Sequence, residues 1–272
     1  MLYLINSRNL IRIIISVLFV FFAFRPELQA ESGFSLSKEK TVLYSNLAGM
    51  AVITGWGVMN WDYFQTHPKI KDERWFARDT KNGGADKMGH FYTAFAISHA
   101  ISSLYVHKGY SRERGALLGA LSTFALTTWM EIGDSFSDYG FSYEDAVMNL
   151  LGSLTGYILY TQPELAEKID IRFELGTNFN KVDVFTDYDN HKYLIALKLD
   201  AFEFTQNSPL EYLELQLGYY SRGYSTNLQE KKRNIFVGLG LNMPRIFNYF
   251  SLPRISKASN YIQIPYTYME NN

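Results

Sequence analysis

The chain has 272 residues and a formal net charge of −1, with 26 Lys and Arg against 27 Asp and Glu. With no basic stripe it offers nucleic acid little to hold. It contains no cysteine, which excludes disulfides, thiol nucleophiles, Cys–zinc sites and a lipidated Cys within these residues.

Residues 1–30 read as an export signal. Arg8 and Arg12 give a basic start, Ile13 to Phe24 is an uncharged apolar run of 12 residues, and Ala30 offers a small residue for cleavage after Glu27-Leu28-Gln29. The run is shorter than the ~20 residues of a spanning helix, which favours cleavage over an uncleaved N-terminal anchor. Leu43 to Trp61 then holds 19 residues without a charge, including Gly49, Gly55 and Gly57. It predicts a helix with close backbone contacts. Asp62 to Gly84 is polar, with His67-Pro68 and Asn82-Gly83-Gly84 as turn signals. Phe91 to Val106 is a second uncharged run, interrupted only by polar His99. Ser111 can cap a third helix, whose apolar part is Gly115 to Met130. A fourth runs from about Tyr143 to Tyr160 and stops before Pro163.

These four runs are 16 to 19 residues long. A bilayer span needs ~20, while a soluble core helix usually carries a charged face. The expected unit is a compact four-helix bundle, embedded in or lying against a membrane. Gly115-x-x-x-Gly119 and Gly152-x-x-x-Gly156 give the last two helices small faces, and these faces are expected to meet each other.

After Pro163 the apolar period drops to two. Ile171, Phe173, Leu175, Thr177 and Phe179 alternate with polar or small residues, as do Tyr193 to Leu199, Leu213 to Tyr219 and Ile235 to Leu241. Asp187–Asn190, Gln206–Pro209 and Ser225–Arg233 are the turns, and a weaker strand covers Tyr261 to Tyr268. The apolar face of this sheet can pack on the helices or turn toward lipid. About five strands fall short of the eight that an outer-membrane barrel takes, so a complete barrel is not expected. The high count of 20 Tyr and 20 Phe suits either a sheet surface or a membrane interface. The fold class is α+β. A signal spans 1–30, a bundle of about four apolar helices with the polar motifs spans 31–163, and an antiparallel β-meander of about five strands spans 164–272.

The polar marks fall in a fixed order: Asp86-Lys87-x-x-His90-Phe91, Glu131-x-x-Asp134, then Asp145-x-x-x-Asn149-x-x-Gly152-x-x-x-Gly156. This order resembles the YfiM-like family of bacterial periplasmic proteins, a family without an established activity. Gly218-Tyr219-Tyr220-Ser221-Arg222-Gly223-Tyr224 and Val237-Gly238-Leu239-Gly240-Leu241-Asn242 are similar to its C-terminal half, so the resemblance covers about residues 41–245. The helical half is more distantly similar to VanZ-like membrane proteins, which are linked to glycopeptide-antibiotic tolerance. Two departures stand out. Many YfiM-like members are lipoproteins, and this chain has no Cys. VanZ-like proteins carry Gln where this chain has Asp134.

Each polar residue has a structural role open to it as well as a chemical one. Asp86 can be the N-cap of its helix, and Lys87 a solvated side chain. His90, four residues on, shares a face with Asp86 and is either a satisfied core histidine or a ligand or general base. Glu131 and Asp134 stand at a helix C-terminus, where the helix dipole disfavours negative charge, so a cation, His90, Lys87 or full solvation must compensate. Ser142 to Asp145 fits a capping box, and Asn149, one turn on, needs partners if buried. The candidate site is His90, Glu131, Asp134, Asp145 and Asn149 gathered at one end of the bundle, with Asp86 and Lys87 at the rim. The sequence leaves the cofactor open, a divalent metal being one that this donor set could take, with His90, Glu131 and Asp134 as candidate ligands. Two functions follow. One is an exported, membrane-associated envelope protein of the periplasm or outer membrane, structural or partner-binding, whose partner is a membrane or envelope component. The other is an acid–base or metal-dependent enzyme acting on an envelope lipid or glycan.

Overall fold

The computed structural model describes residues 36–176, 187–225 and 230–271. The export signal of residues 1–30, and Thr177 and Phe179 of the expected first strand, lie outside the described residues. Four long helices come first: α1 (Lys38–Asn60), α2 (Ala85–His107), α3 (Arg112–Ser135) and α4 (Tyr143–Thr161). A short α5 (Pro163–Lys168) leads into β1 (Ile169–Leu175), β2 (His191–Lys198), β3 (Leu213–Arg222) and β4 (Lys232–Leu241). Two short helices, α6 (Met243–Tyr249) and α7 (Pro253–Ser259), precede β5 (Tyr268–Glu270). The fold is α+β, with five antiparallel strands in sequence order.

The helices outrun their apolar stretches because charged residues fill their first turns. Ser37 and Ser111 cap α1 and α3 by accepting from the N–H groups of Lys40 and Arg114. The start of α2 differs from expectation. Its N-cap is Gly84, at φ 89°, and Asp86 lies inside the first turn with its carboxylate turned to Lys87. Glycine is needed at this left-handed corner, because a Cβ on Gly84 would press into Phe76.

α2 is the central helix and packs against both α3 and α4. The glycine faces do not meet each other. A Cβ on Gly115 or Gly119 would strike Val106 or Ser102, and one on Gly152 or Gly156 would strike Phe91 or Ser98, all of them on α2. Small faces let backbones approach, and the helix between them takes both. The α2–α4 contact continues into an apolar layer of Phe95, Leu159 and Ile171 with Tyr92 and Tyr261, which joins the bundle to the sheet.

The sheet packs one part of its apolar face on the helices and leaves the rest exposed. Near β1 and β2 its apolar face packs on α2, with the rings of Tyr92, Phe173 and Tyr193 in contact. Along β3 and β4 the same face is exposed at Leu215, Leu217, Val237, Leu239, Leu241 and Ile235, the last 75% accessible. Along β3 and β4 the opposite face is the buried one, and it mixes charged residues with a cluster of Leu194, Ala196 and Phe236. Arg172, 1% exposed, donates to Asp170 Oδ2 at 2.6 Å, Glu214 Oε1 at 2.7 Å and Gln263 Oε1 at 2.9 Å. The final segment seals this interior. Gln263 N–H donates to Phe173 O at 2.9 Å on one edge, and β5 pairs with β4 on the other. The expected strand over Tyr261 to Tyr268 is thus two short contacts. Its middle turns at Pro265 and Tyr266, the latter at φ 65°, and Thr267 Oγ1 closes the turn by accepting from Gln263 Nε2 at 2.8 Å and donating to Ile264 O at 2.7 Å.

Candidate functional site

The site forms where α2 begins, α3 ends and α4 begins. α2 and α3 are joined by the short turn at Lys108–Ser111, so they run antiparallel and the start of one lies beside the end of the other. Ser142 fixes the start of α4 by accepting from Asp145 N–H at 3.2 Å, and its hydroxyl donates to Glu144 Oε2 at 3.1 Å.

Lys87 lies at the centre of the site, although a rim position in solvent was expected. It is 1% exposed, and its Nζ is 2.6 Å from Glu73 Oε2, 3.1 Å from Asp86 Oδ2 and 2.9 Å from Asp145 Oδ1. Burying an ammonium is costly unless opposite charges meet it, and three carboxylates do so here. Asp86, also expected at the rim, is buried with it. Burial pushes the Glu73 carboxyl up, but the Lys87 hydrogen bond and charge outweigh this and hold it below the usual carboxylate range.

His90 sits one turn further along α2, between two carboxylates. Its Nδ1 is 3.5 Å from Glu131 Oε1 and its Nε2 is 3.8 Å from Asp145 Oδ1. Asn149 Nδ2 donates to Glu131 Oε1 at 3.4 Å. Glu131 therefore meets its unfavourable helix-end position with two neighbours from other helices. Asp134 takes a different place, beside Tyr63. The Tyr63 hydroxyl donates to Met130 O at 3.0 Å, and burial, followed by the charge of Asp134, pushes its pKa up. Of the other acids of the bend, Asp138 is exposed and pairs with Lys69 at 3.3 Å, while among the described residues the buried Glu144 accepts from Ser142 through Oε2 alone.

Two groups of three offer ligand atoms within 4.8 Å of one another: His90, Glu131 and Asp145, and Glu73, Asp86 and Asp145. The second already surrounds the Lys87 ammonium. The first has a histidine nitrogen and two carboxylates, with Asp145 in the place expected of Asp134. Asp134 is one turn beyond Glu131 and turns to the Tyr63 loop, whereas Asp145 enters from the next helix. Among the described residues, Asn149 Oδ1 is buried without a hydrogen-bond partner, whereas Asp145 Oδ1 has the Lys87 ammonium 2.9 Å away.

Glu73 is the member that sequence reasoning missed. It lies in the polar stretch before α2, 14 residues from Lys87. Nothing in its spacing distinguishes it from Asp72 or Asp79. The stretch is held in place by the sheet: Ser221 Oγ donates to Asn82 O at 2.8 Å, Tyr219 to the Gly83 carbonyl, and Tyr224 to Arg78 O at 3.1 Å. The Gly218–Tyr224 stretch thereby supports the entry to the site.

Residues 72–161 match the profile of a family described as a predicted periplasmic lipoprotein (DUF2279). The match begins at the Glu73 loop and ends with α4, so it takes in the whole polar cluster. No curated protein and no solved structure matches the chain. The family description supports a periplasmic or envelope location. The lipid of a lipoprotein is carried on cysteine, which these 272 residues lack.

Proposed function

We infer that this is an exported cell-envelope protein, embedded in a membrane by its outer surface and acting as a structural or partner-binding component. The supporting observation is the reversed polarity of the sheet. Charged Asp170, Arg172 and Glu214 are buried, while the apolar positions of β3 and β4 face outward. A water-soluble sheet buries its apolar face, so an apolar medium outside accounts for this arrangement. The helices continue the shell. α1 exposes Leu43, Leu47, Val52, Val58 and Met59, and α4 exposes Val147, Leu150, Leu151, Leu154 and Ile158. By length and composition α1 and α3 are apolar enough to cross a membrane. After fractionation the protein is expected to pellet with membranes and to need detergent for release. Complete recovery in a detergent-free periplasmic extract would refute the reading.

A second reading is favoured by one observation. His90, whose side chain is 17% exposed, lies between the buried Glu131 and Asp145. An imidazole so placed can accept or give a proton at the bundle end, as an acid–base or metal-dependent enzyme acting on an envelope lipid or glycan requires. His90→Gln separates the two. A structural component keeps its cellular role as long as it folds, whereas an enzyme loses it with stability largely kept.

A further inference from the structure

We propose that His90, Glu131 and Asp145 hold one first-row divalent transition-metal ion, with the carboxamide oxygen of Asn149 as the fourth ligand. The charge balance motivates this. Lys87, with Lys71 3.6 Å from Glu73 at the surface, makes two cations against Glu73, Asp86, Asp145 and Glu131, and three of these four acids are buried. Buried carboxylates in excess require further positive charge, from protons or a cation. The donor geometry favours the cation. One atom from each of His90, Glu131 and Asp145 lies within 4.8 Å of the others, a spacing that a single ion can bridge.

Asn149 supplies an independent observation. It is 1% exposed and carries no charge, so it belongs to no acidic cluster. Its carboxamide reaches Glu131 through Nδ2 at 3.4 Å, which brings its head group to the site. Its Oδ1 is nevertheless buried without a donor among the described residues. A buried amide oxygen left so is unfavourable, and a metal ion would satisfy it. The other acidic triad is no competitor, because the Lys87 ammonium stands 2.6–3.1 Å from each of its members. Lys87 reaches both oxygens of Asp145, at 2.9 Å and 3.1 Å, and Oδ1 also faces His90, so the ammonium and the ion would share that carboxylate. One imidazole nitrogen with oxygen donors suits Zn2+ or Mn2+ better than Ca2+ or Mg2+, which take oxygen alone.

The test uses the full chain, solubilised in detergent and stripped with a chelator, titrated calorimetrically with Zn2+ alone. One ion per chain is expected, with affinity at least tenfold weaker in His90→Gln and in Glu131→Gln, on the order of the loss a removed ligand causes. Asp138→Asn should bind as the wild type does, since Asp138 is exposed and pairs with Lys69. If a site variant does not fold, X-ray absorption of Zn2+ on the wild type decides. A nitrogen ligand at about 2.0–2.1 Å within a mixed shell is expected. An all-oxygen shell, undiminished binding by folded His90→Gln, or no saturable binding overturns the proposal. None of these outcomes depends on where the protein fractionates, so the membrane reading is tested separately.

Discussion

Replacing Gly152 by Ala tests the helix contact that aligns the site. Gly152 lies one turn after Asn149 on α4. A Cβ there would lie against the Phe91 carbonyl oxygen closer than real Cβ atoms come, and 3.0 Å from Ala94 Cβ. The carbonyl belongs to the α2 backbone and cannot rotate away. α4 must therefore move off α2, and Asn149 and Asp145 move with it. Alanine gains about 1 kcal/mol over glycine in a helix interior, whereas overpacking costs about 1–3 kcal/mol. Because the obstacle is backbone, the upper end applies, for a net loss of about 1–2 kcal/mol. Gly55, inside α1, has nothing within 4 Å of its Cβ position, so Gly55→Ala should gain about 1 kcal/mol. For a chain of this size, each kcal/mol shifts Tm by about 2–4 °C. Thermal unfolding of both variants in one detergent, followed by circular dichroism, should thus show opposite signs. A Gly152→Ala protein that melts at or above the wild type would refute the close α2–α4 packing.

Three further outcomes are expected. Lys87→Met strips the cation from three carboxylates and should cost about 3–5 kcal/mol, visible as a lowered Tm at pH 7; an unchanged Tm would mean that Lys87 is solvated after all. The Glu73 carboxyl sits below its ordinary value of 4.5 in the folded state. Its contribution is therefore present above that value and is lost as pH falls through the lower folded-state pKa. Stability of the wild type should then drop more steeply below about pH 4.5 than that of Glu73→Gln, and parallel curves would refute the Glu73–Lys87 pair. N-terminal sequencing of the mature protein should start near Glu31, and an intact Met1 on a cytosolic protein would exclude the export signal.

Local features were legible in the sequence because they depend on spacing along the chain. The four apolar runs, the three middle strands of period two after Pro163, and the Ser111 and Ser142 caps all reappear as elements close to where they were expected. Antiparallel α2 and α3 follow from their short joint, which is why His90 and Glu131 were expected at one end. What spacing could not supply is which surfaces face each other. Gly115 and Gly152 each announce a close contact, yet only packing makes α2 the partner of both. Lys87 reads as solvated until Glu73, Asp86 and Asp145 enclose it, and Glu73 comes from a loop held by Tyr219 and Ser221 of a distant strand. The alternation along β3 and β4 identifies an apolar face but does not say whether it points in or out. A protein core and a lipid tail are both apolar, so the same pattern suits either, and here the burial of Arg172 with Asp170 and Glu214 decides that much of that face turns outward.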